Sequence, residues 1–534
     1  MEHESDTTRS EPMIHARRTD ILLIGINAKY IHASFGLRYL LANLGSYRSR
    51  ASILEFDLNT RIPEMVERAL QHHPFVIGIG VYIWNVNQVR SFVYHMKQIS
   101  PETRIVLGGP EVSFEQATIT WLAEADHVIS GEADLAFHDL CAALLNSHDS
   151  KSRPEKWIQA PPPDVNQLTL PYPYYNELDI RHRIVYVEAS RGCPFTCEFC
   201  LSALEIPVRA FPLEPFLESL QELYDRGLRH FKFVDRTFNL NIATGLTILK
   251  FFEKRYEPGL FLHFEMIPDR LPDPLREIIA TFPSGCIQFE IGIQSLNQEV
   301  SKNIHRRQNQ RKLEENIQYL RNHTGVHLHV DLIAGLPGED MRSFARGFNQ
   351  LLRLNPHEIQ LGILKRLKGT PMTQRETSFS MIYDEEPPYE ILQTSHMNFL
   401  QIQRIKRFAR YWDLIGNSGN FTQTLKLLLG GSKDAFSTFM RLSDWIYQTT
   451  EGQRHGIALT RLLDLIFTYC TGTLRMEADI VATTAWKDYH TPNRNDIPKC
   501  LRPYIRDSPN RNNLHPNLTS SAQKRQVQHQ QTRP

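Results

Sequence analysis

The segment Arg191-Gly192-Cys193-Pro194-Phe195-Thr196-Cys197-Glu198-Phe199-Cys200 carries three thiols in the spacing C-x3-C-x2-C, directly after the strand-like run Ile184-Val185-Tyr186-Val187-Glu188-Ala189. Thiols packed this closely behind a strand can face one metal centre, and thiolates select iron-sulfur clusters, zinc or copper(I). A cubane cluster held by cysteine normally takes four of them. A set of three therefore leaves one iron open to a substrate or cofactor. A structural zinc site needs four closed ligands, and the remaining cysteines, Cys141, Cys286, Cys470 and Cys500, are scattered singly. With 7 Cys, three of them clustered, in a long chain, the pattern reads as a reducing-compartment protein that uses thiols for metal instead of disulfides.

At 534 residues the chain exceeds what one core usually serves, so two or three domains are expected. The 60 basic and 59 acidic side chains cancel, which leaves no electrostatic footprint for nucleic acid. Met1 to Asp20 is polar and lacks the apolar core of a signal peptide. No apolar run is long enough to span a bilayer, so no membrane is expected and the location is read as cytoplasmic.

The expected fold class is α/β. Residues 1–19 are expected to be disordered, and residues 20–145 alternate short apolar runs with amphipathic stretches, the pattern of a doubly wound Rossmann-like sheet. Ile21-Leu22-Leu23-Ile24-Gly25, Phe75 to Val81 and Arg104 to Gly109 are its clearest strands, with a helix at Leu37, Leu40, Leu41 and Leu44. Ligands of such sheets sit outside the carboxyl ends of the strands. That puts Asn27 to Phe35, Tyr82 to Asn85, Gly108 to Ser113 and Ser130 to Glu132 around one crevice. The Pro-rich stretch 146–178 is expected to be an extended linker. Over 179–375, strands at Phe231 to Asp235, Phe261 to Glu265, Ile287 to Ile293, His327 to Ile333 and Ile359 to Leu364 join the strand before the cysteines in a partial (β/α)6 barrel. Residues 376–487 turn helical, and 488–534 are polar enough to be disordered.

The cysteine motif and its setting resemble the radical S-adenosylmethionine (radical SAM) enzymes, and the domain before it resembles the cobalamin-binding domain of one large subgroup. The resemblance implies a 4Fe-4S cluster on Cys193, Cys197 and Cys200, with S-adenosylmethionine on the open iron and Phe195 and Phe199 shielding the site. It implies that Asp235 lies near the methionine amino group, that Glu290 and Gln294 of Glu290-Ile291-Gly292-Ile293-Gln294-Ser295 take hydroxyls or the ammonium, and that Arg306 or Arg307 faces the carboxylate. Gly335 and Gly338 of Gly335-Leu336-Pro337-Gly338-Glu339 would let adenine approach, and Gly369-Thr370-Pro371 would close the site. Asp235 also reads as a helix N-cap, and Glu339 as an acid in a first helical turn. His263 and Glu265 share one face of a strand, and Glu265 could reach the substrate cavity.

For cobalamin, the resemblance points to Asn27, to Gly108, Gly109, Pro110 and Glu111, and to Gly131 and Glu132, with glycine permitting close backbone approach. The D-x-H-x-x-G pattern that supplies a histidine to cobalt is altered here. Tyr30 replaces its aspartate and Gly36 sits one residue late, so His32 is not expected on cobalt. The C-terminal region resembles an extension found in a family whose substrate is uncharacterised. The implied activity is cleavage of S-adenosylmethionine to a 5'-deoxyadenosyl radical, followed by methylation, cyclisation or rearrangement of a small molecule, with a flavodoxin- or ferredoxin-type reductant. The rivals are a radical SAM enzyme without functional cobalamin and a non-enzymatic zinc or iron-sulfur binding module.

Overall fold

The structure, a computed structural model, describes residues 19–146, 154–491, 494 and 496–505. The described residues fall into two compact units, divided between Asn176 and Glu177. The disorder expected at the N-terminus and beyond residue 505 falls outside the described residues.

In the first unit, six strands form one parallel sheet: β1 (Ile21–Asn27), β2 (Ala51–Asp57), β3 (Val76–Gly80), β4 (Arg104–Gly108), β5 (His127–Ser130) and β6 (Trp157–Gln159), in the order β2-β1-β3-β4-β5-β6. β1 is apolar at nearly every position because helices cover both faces of the sheet. Leu22, Ile24 and Ile26 enter one core with Val89 and Phe92, while Ile21 and Leu23 enter the other with Phe137 and Leu140. The strand order reverses between β1 and β3, the point at which doubly wound sheets bind ligands.

The stretch expected to be a linker belongs partly to this core. β6 pairs with β5 at the sheet edge, a place where the prolines that follow are tolerated. Tyr172 and Tyr175 are each 1% exposed, and the guanidinium of Arg38 lies 4.7 Å over the Tyr175 ring. Of the expected linker, residues 147–153 lie outside the described residues.

The second unit is built on a six-stranded parallel sheet. Its strands are β7 (Val185–Val187), β10 (His230–Phe233), β11 (Phe261–Glu265), β12 (Ile287–Gln294), β13 (His327–Ala334) and β14 (Glu358–Ile363), ordered β14-β13-β12-β11-β10-β7. A short antiparallel pair, β8 (Ser190–Arg191) with β9 (Arg209–Ala210), lies between β7 and β10 in the chain. Side chains alternate along each strand. Phe231 and Phe233 are buried among aromatic rings, Phe231 against Phe252 at 4.9 Å and Phe233 against Phe264 at 4.5 Å. Lys232, between them, reaches toward Glu290 on β12. The sheet thus has an apolar side toward its helices and a side rich in titratable groups.

The helical pattern expected from residue 376 begins at Phe399, after a hairpin of β15 (Ile382–Tyr383) and β16 (Ile391–Gln393). Helix Phe399–Ile415 starts with a capping box between Asn398 and Gln401. Its Phe408 and Trp412 pack against Phe348, Phe436 and Phe439. Asn417 then donates to the carbonyl of Ile359 and accepts from its N–H, at 3.0 and 2.9 Å. These bonds satisfy backbone groups of the edge strand β14. The last helix ends at Tyr489, and Leu501 is still fully buried, so packing continues into the segment expected to be disordered. Among the described residues, no helix is long and apolar enough to cross a membrane.

Candidate active site

The cysteine loop is pinned at its base. Cys193 N donates to Glu205 O at 3.1 Å and Cys200 N to Cys197 O at 3.1 Å. Gly192 has φ +93°, and a Cβ there would collide with the Glu205 carbonyl, so glycine is required by the turn itself. Asp235 is 4% exposed and accepts from Ala189 N at 3.0 Å and from Ser190 Oγ at 2.7 Å. The N-cap role expected for Asp235 does not fit. Asn241 caps the helix Ile242–Glu253, and the carboxylate lies under the turn into the loop, outside the cavity lining. Burial pushes this carboxyl up to about 7 against those bonds.

Glu198, between the second and third cysteines, is a second anchor that spacing did not reveal. It is 4% exposed and takes a bidentate pair from Arg375 at 2.8 and 2.7 Å. His305 Nδ1 lies 3.2 Å from the same carboxylate. Backbone bonds from Glu198 N to Ile304 O and from Met372 N to Glu198 O complete the clamp. The loop is thereby fixed to two segments distant in sequence.

All three thiols line one cavity of about 340 Å³. Glu290, Gln294, Arg306 and Arg307 line it too, as do Phe195 and Phe199. Arg306 Nη1 stands 3.5 Å from Cys197 Sγ, Nη2 donates to the Gly292 carbonyl, and Nε is buried without a protein partner. Arg236, Glu265 and the segment Met266 to Asp269 also contribute, from the ends of β10 and β11. Of these only Glu265 was foreseen, because strand ends meet in space and not in sequence. Arg236 Nη1 lies 3.2 Å from Glu265 Oε1, and burial raises the Glu265 carboxyl despite that cation.

Beside the cavity, the strands carry a row of paired polar groups. His263 Nε2 lies 2.9 Å from Glu290 Oε2, and Lys232 Nζ 3.8 Å from the same atom. Against the upward push of burial, these partners hold Glu290 well below the usual carboxylate range. Burial keeps His263 low, which fits a neutral imidazole donating to that carboxylate. His329 Nε2 lies 3.3 Å from Asp331 Oδ1, and despite burial the pairing pushes His329 up to about 9.

Gly335 and Gly338 do not line the cavity. Both have positive φ, +87° and +84°, and a Cβ would meet Ile391 at 2.5 Å or Asn303 Nδ2 at 2.7 Å. These glycines serve the packing of their turn. Glu339 precedes the N-cap Asp340 instead of lying in the helix. It is 2% exposed and accepts from Ser295 Oγ at 2.8 Å and Ser343 Oγ at 3.2 Å.

The donor set fits a polynuclear cluster. Among the described residues, no three His, Cys, Asp or Glu side chains converge to hold a single ion. The three thiols instead stand around a shared cavity, near enough that Cys200 and Cys197 add to the burial that raises the Cys193 thiol. Three thiols around one cavity suit a cluster in which each thiolate takes its own iron.

In the first unit, the loops singled out do follow β1, β3, β4 and β5, but several of their residues are occupied by the fold. Asn27 donates to His32 O and Glu55 Oε1 and accepts from Ser34 Oγ, all within 3.0 Å. A Cβ on Gly109 would meet the Val81 carbonyl, and one on Gly131 the Ala160 carbonyl, each at 2.6 Å. Backbone packing is by itself enough to require glycine at these two positions. Gly108 lies at the end of β4, Pro110 and Glu111 open a short helical turn, and Glu111 is 3% exposed. Ser113 Oγ donates to Gly109 O and accepts from Gly131 N, which joins this loop to the one holding Glu132. An aromatic platform was missed. Tyr82 and Trp84 stack at 4.4 Å with planes 3° apart, and Trp84 is 45% exposed. Asn85 holds their turn through Tyr82 N, Ile26 O and Gly80 O. The Trp84 indole donates to Ile26 O at 3.2 Å, across the β1/β3 switch point. A flat, exposed aromatic surface at that point suits a large flat ring such as corrin.

Residues 21–141 match the B12 binding domain, residues 187–350 the radical SAM superfamily, and residues 377–533 a protein family of unknown function, DUF4080. The cobalamin-dependent radical SAM methyltransferase TokK of Streptomyces tokunonensis is 25% identical over 464 residues, 77% of this chain and 63% of TokK. The matches span less than two thirds of the length of TokK and of the next curated relatives. Among solved structures, the cobalamin-dependent S-adenosylmethionine radical enzyme OxsB with aqua-cobalamin bound has a TM-score of 0.59 at 14% identity, covering 88% of this chain and 79% of that one. The radical S-adenosylmethionine methyltransferase TsrM from Kitasatospora setae, with tryptophan and a SAM analogue bound, has a TM-score of 0.56 at 15% identity, covering 69% and 79%. These two structures share the fold. The domain matches imply a 4Fe-4S cluster, S-adenosylmethionine and cobalamin as cofactors.

Proposed function

We propose that this chain, a radical SAM protein with a cobalamin-binding domain and a C-terminal domain of uncharacterised role, is an enzyme that methylates an unreactive carbon of a small molecule. One observation carries this proposal: Cys193, Cys197 and Cys200 line a single cavity with Arg306 and Glu290. When bound, the reduced cluster would supply the electron that cleaves S-adenosylmethionine to methionine and a 5'-deoxyadenosyl radical, and cobalamin would supply the methyl group.

The protein's own residues bind, orient and exclude. Cys193, Cys197 and Cys200 would hold the cluster and leave one iron open. Arg306, already aimed by Gly292 O and Cys197 Sγ, has a free buried Nε–H, suited to the carboxylate of the methionine moiety. Glu290, kept ionised by His263 and Lys232, suits an ammonium or ribose hydroxyls. Phe195 and Phe199 line the cavity and would shield the cluster from water. The platform of Tyr82 and Trp84 gives the first unit a surface for the corrin. Methylation is favoured over cyclisation by the similarity to TokK. A flavodoxin- or ferredoxin-type protein would deliver the electron.

Anaerobic reconstitution followed by iron, sulfide and cobalt analysis tests this reading. With cobalamin loaded, the protein is expected to release 5'-deoxyadenosine under reduction, and Cys197→Ala to release none. A fully iron-loaded wild type that produces no 5'-deoxyadenosine would sink the proposal.

A further inference from the structure

We propose that a second cavity, walled by β14 and the segment that follows the barrel, receives the part of the substrate remote from the reacting carbon, and that this part carries a carboxylate or phosphate held at Lys365. This inference rests on the function proposed above and adds the chemical class of the substrate.

The second cavity has about 500 Å³ and shares Gln294 and Asp331 with the cysteine-lined cavity. A molecule lying across those two side chains would have one end in each space. The lining not shared with the first cavity includes Lys365, Glu390 and Lys406. Glu390 and Lys406 lie in the region that matches the family of unknown function. The seam is built in: Lys365 forms an antiparallel bridge with Glu390, and Ile391 N donates to Leu364 O at 2.8 Å. Lys406 lies on helix Phe399–Ile415, which the aromatic cluster around Phe408 anchors. The C-terminal region thus supplies part of the wall and fixes its charges.

The charge balance indicates the sign of the ligand. Asp331 is paired with His329 at 3.3 Å, and Glu390 is paired with Lys406. Lys365 has no carboxylate within 4.0 Å among the described residues. One positive charge is left uncompensated in the unshared part of the lining, and an anionic group is what it would attract. Gln294 and Gln360, also in the lining, offer amides that can hydrogen-bond a polar body between the two ends.

Calorimetric titration of the anaerobically reconstituted full chain with glutarate in one arm and inorganic pyrophosphate in the other tests the site and separates carboxylate from phosphate. At least one probe is expected to bind the wild type. Lys365→Gln should weaken that probe by about fivefold or more, while Glu390→Gln, which frees Lys406, should tighten it by about threefold. Lys312→Gln, on an exposed helix elsewhere, should change nothing. Failure of both probes to bind, or equal binding to wild type and Lys365→Gln, would overturn the proposal. S-adenosylmethionine titrated into the same variants should bind as in wild type. If the opposed effects of the two variants appear while the wild type cleaves no S-adenosylmethionine, the anion site stands and the proposed reaction falls.

Discussion

Arg306 reaches the cluster-binding loop directly, its Nη1 3.5 Å from the Sγ of Cys197. A cation hydrogen-bonded to a cluster thiolate favours the more negative, reduced state. The same side chain has a buried Nε with no protein partner. One residue can therefore tune the cluster and hold the ligand of its open iron.

Arg306→Gln is expected to shift the cluster potential down by about 50 mV, roughly the equivalent of a tenfold change for one electron. It should also weaken S-adenosylmethionine binding about tenfold, the scale of a lost charge-assisted bond. Arg306→Lys keeps the charge but not the planar fork. It should restore most of the potential and little of the affinity. A potentiometric titration followed by electron paramagnetic resonance, with calorimetry on the same samples, separates the two effects.

Arg375→Ala leaves the Glu198 carboxylate, only 6% exposed, with His305 as its remaining side-chain partner. Loss of one partner from a buried carboxylate costs about 1–3 kcal/mol. The destabilised element is the loop that carries the ligands. Iron bound per chain after reconstitution should fall, and the midpoint of thermal unfolding of the iron-free protein should drop by several degrees. Unchanged iron content in Arg375→Ala would mean that the clamp does not organise the cysteines.

Trp84 presents nearly half of its surface beside Tyr82. Trp84→Ala should weaken cobalamin binding about three- to tenfold, the energy of an aromatic stacking contact, and leave uncoupled S-adenosylmethionine cleavage intact. With the aspartate of the cobalt-ligating pattern replaced by Tyr30, the cobalt(II) form should show no histidine nitrogen splitting by electron paramagnetic resonance. His32→Ala should leave that spectrum unchanged. A nitrogen splitting that disappears in His32→Ala would refute this account.

What could be read from the sequence depended on how local each feature is. The triad was legible because its ligands are consecutive, and β1 because a strand buried on both faces is apolar throughout. Glu198 sits inside the same motif, but its partner Arg375 is 177 residues away, so nothing local revealed the pair. The protein partners of Asp235 were not legible for a related reason. Its environment comes from Ala189 and Ser190, which the parallel pairing of β10 with β7 brings alongside. β6 was hidden by the prolines around it, which exclude a central strand and permit an edge strand. Gly109, Gly131, Gly335 and Gly338 were read as places where a ligand approaches the backbone, and the protein atoms a Cβ would meet at each come from segments that spacing does not place.

Glu339 provides a test of the turn after β13 that is independent of any cofactor. Burial pushes its carboxyl up to about 7, against the bonds from Ser295 and Ser343. The native state then holds a proton that the unfolded chain has already released. This contribution to stability is full below the ordinary carboxylate range, declines as the pH rises, and is gone once the pH passes about 7. The loss amounts to at most about 3 kcal/mol. Glu339→Gln mimics the protonated acid at every pH. It should match wild type near pH 4.5, lie above it at pH 8 by several degrees in unfolding midpoint, and show a flatter pH profile between the two. Parallel profiles for the variant and wild type would mean that Glu339 is ionised throughout, with its charge compensated by a group other than Ser295 and Ser343.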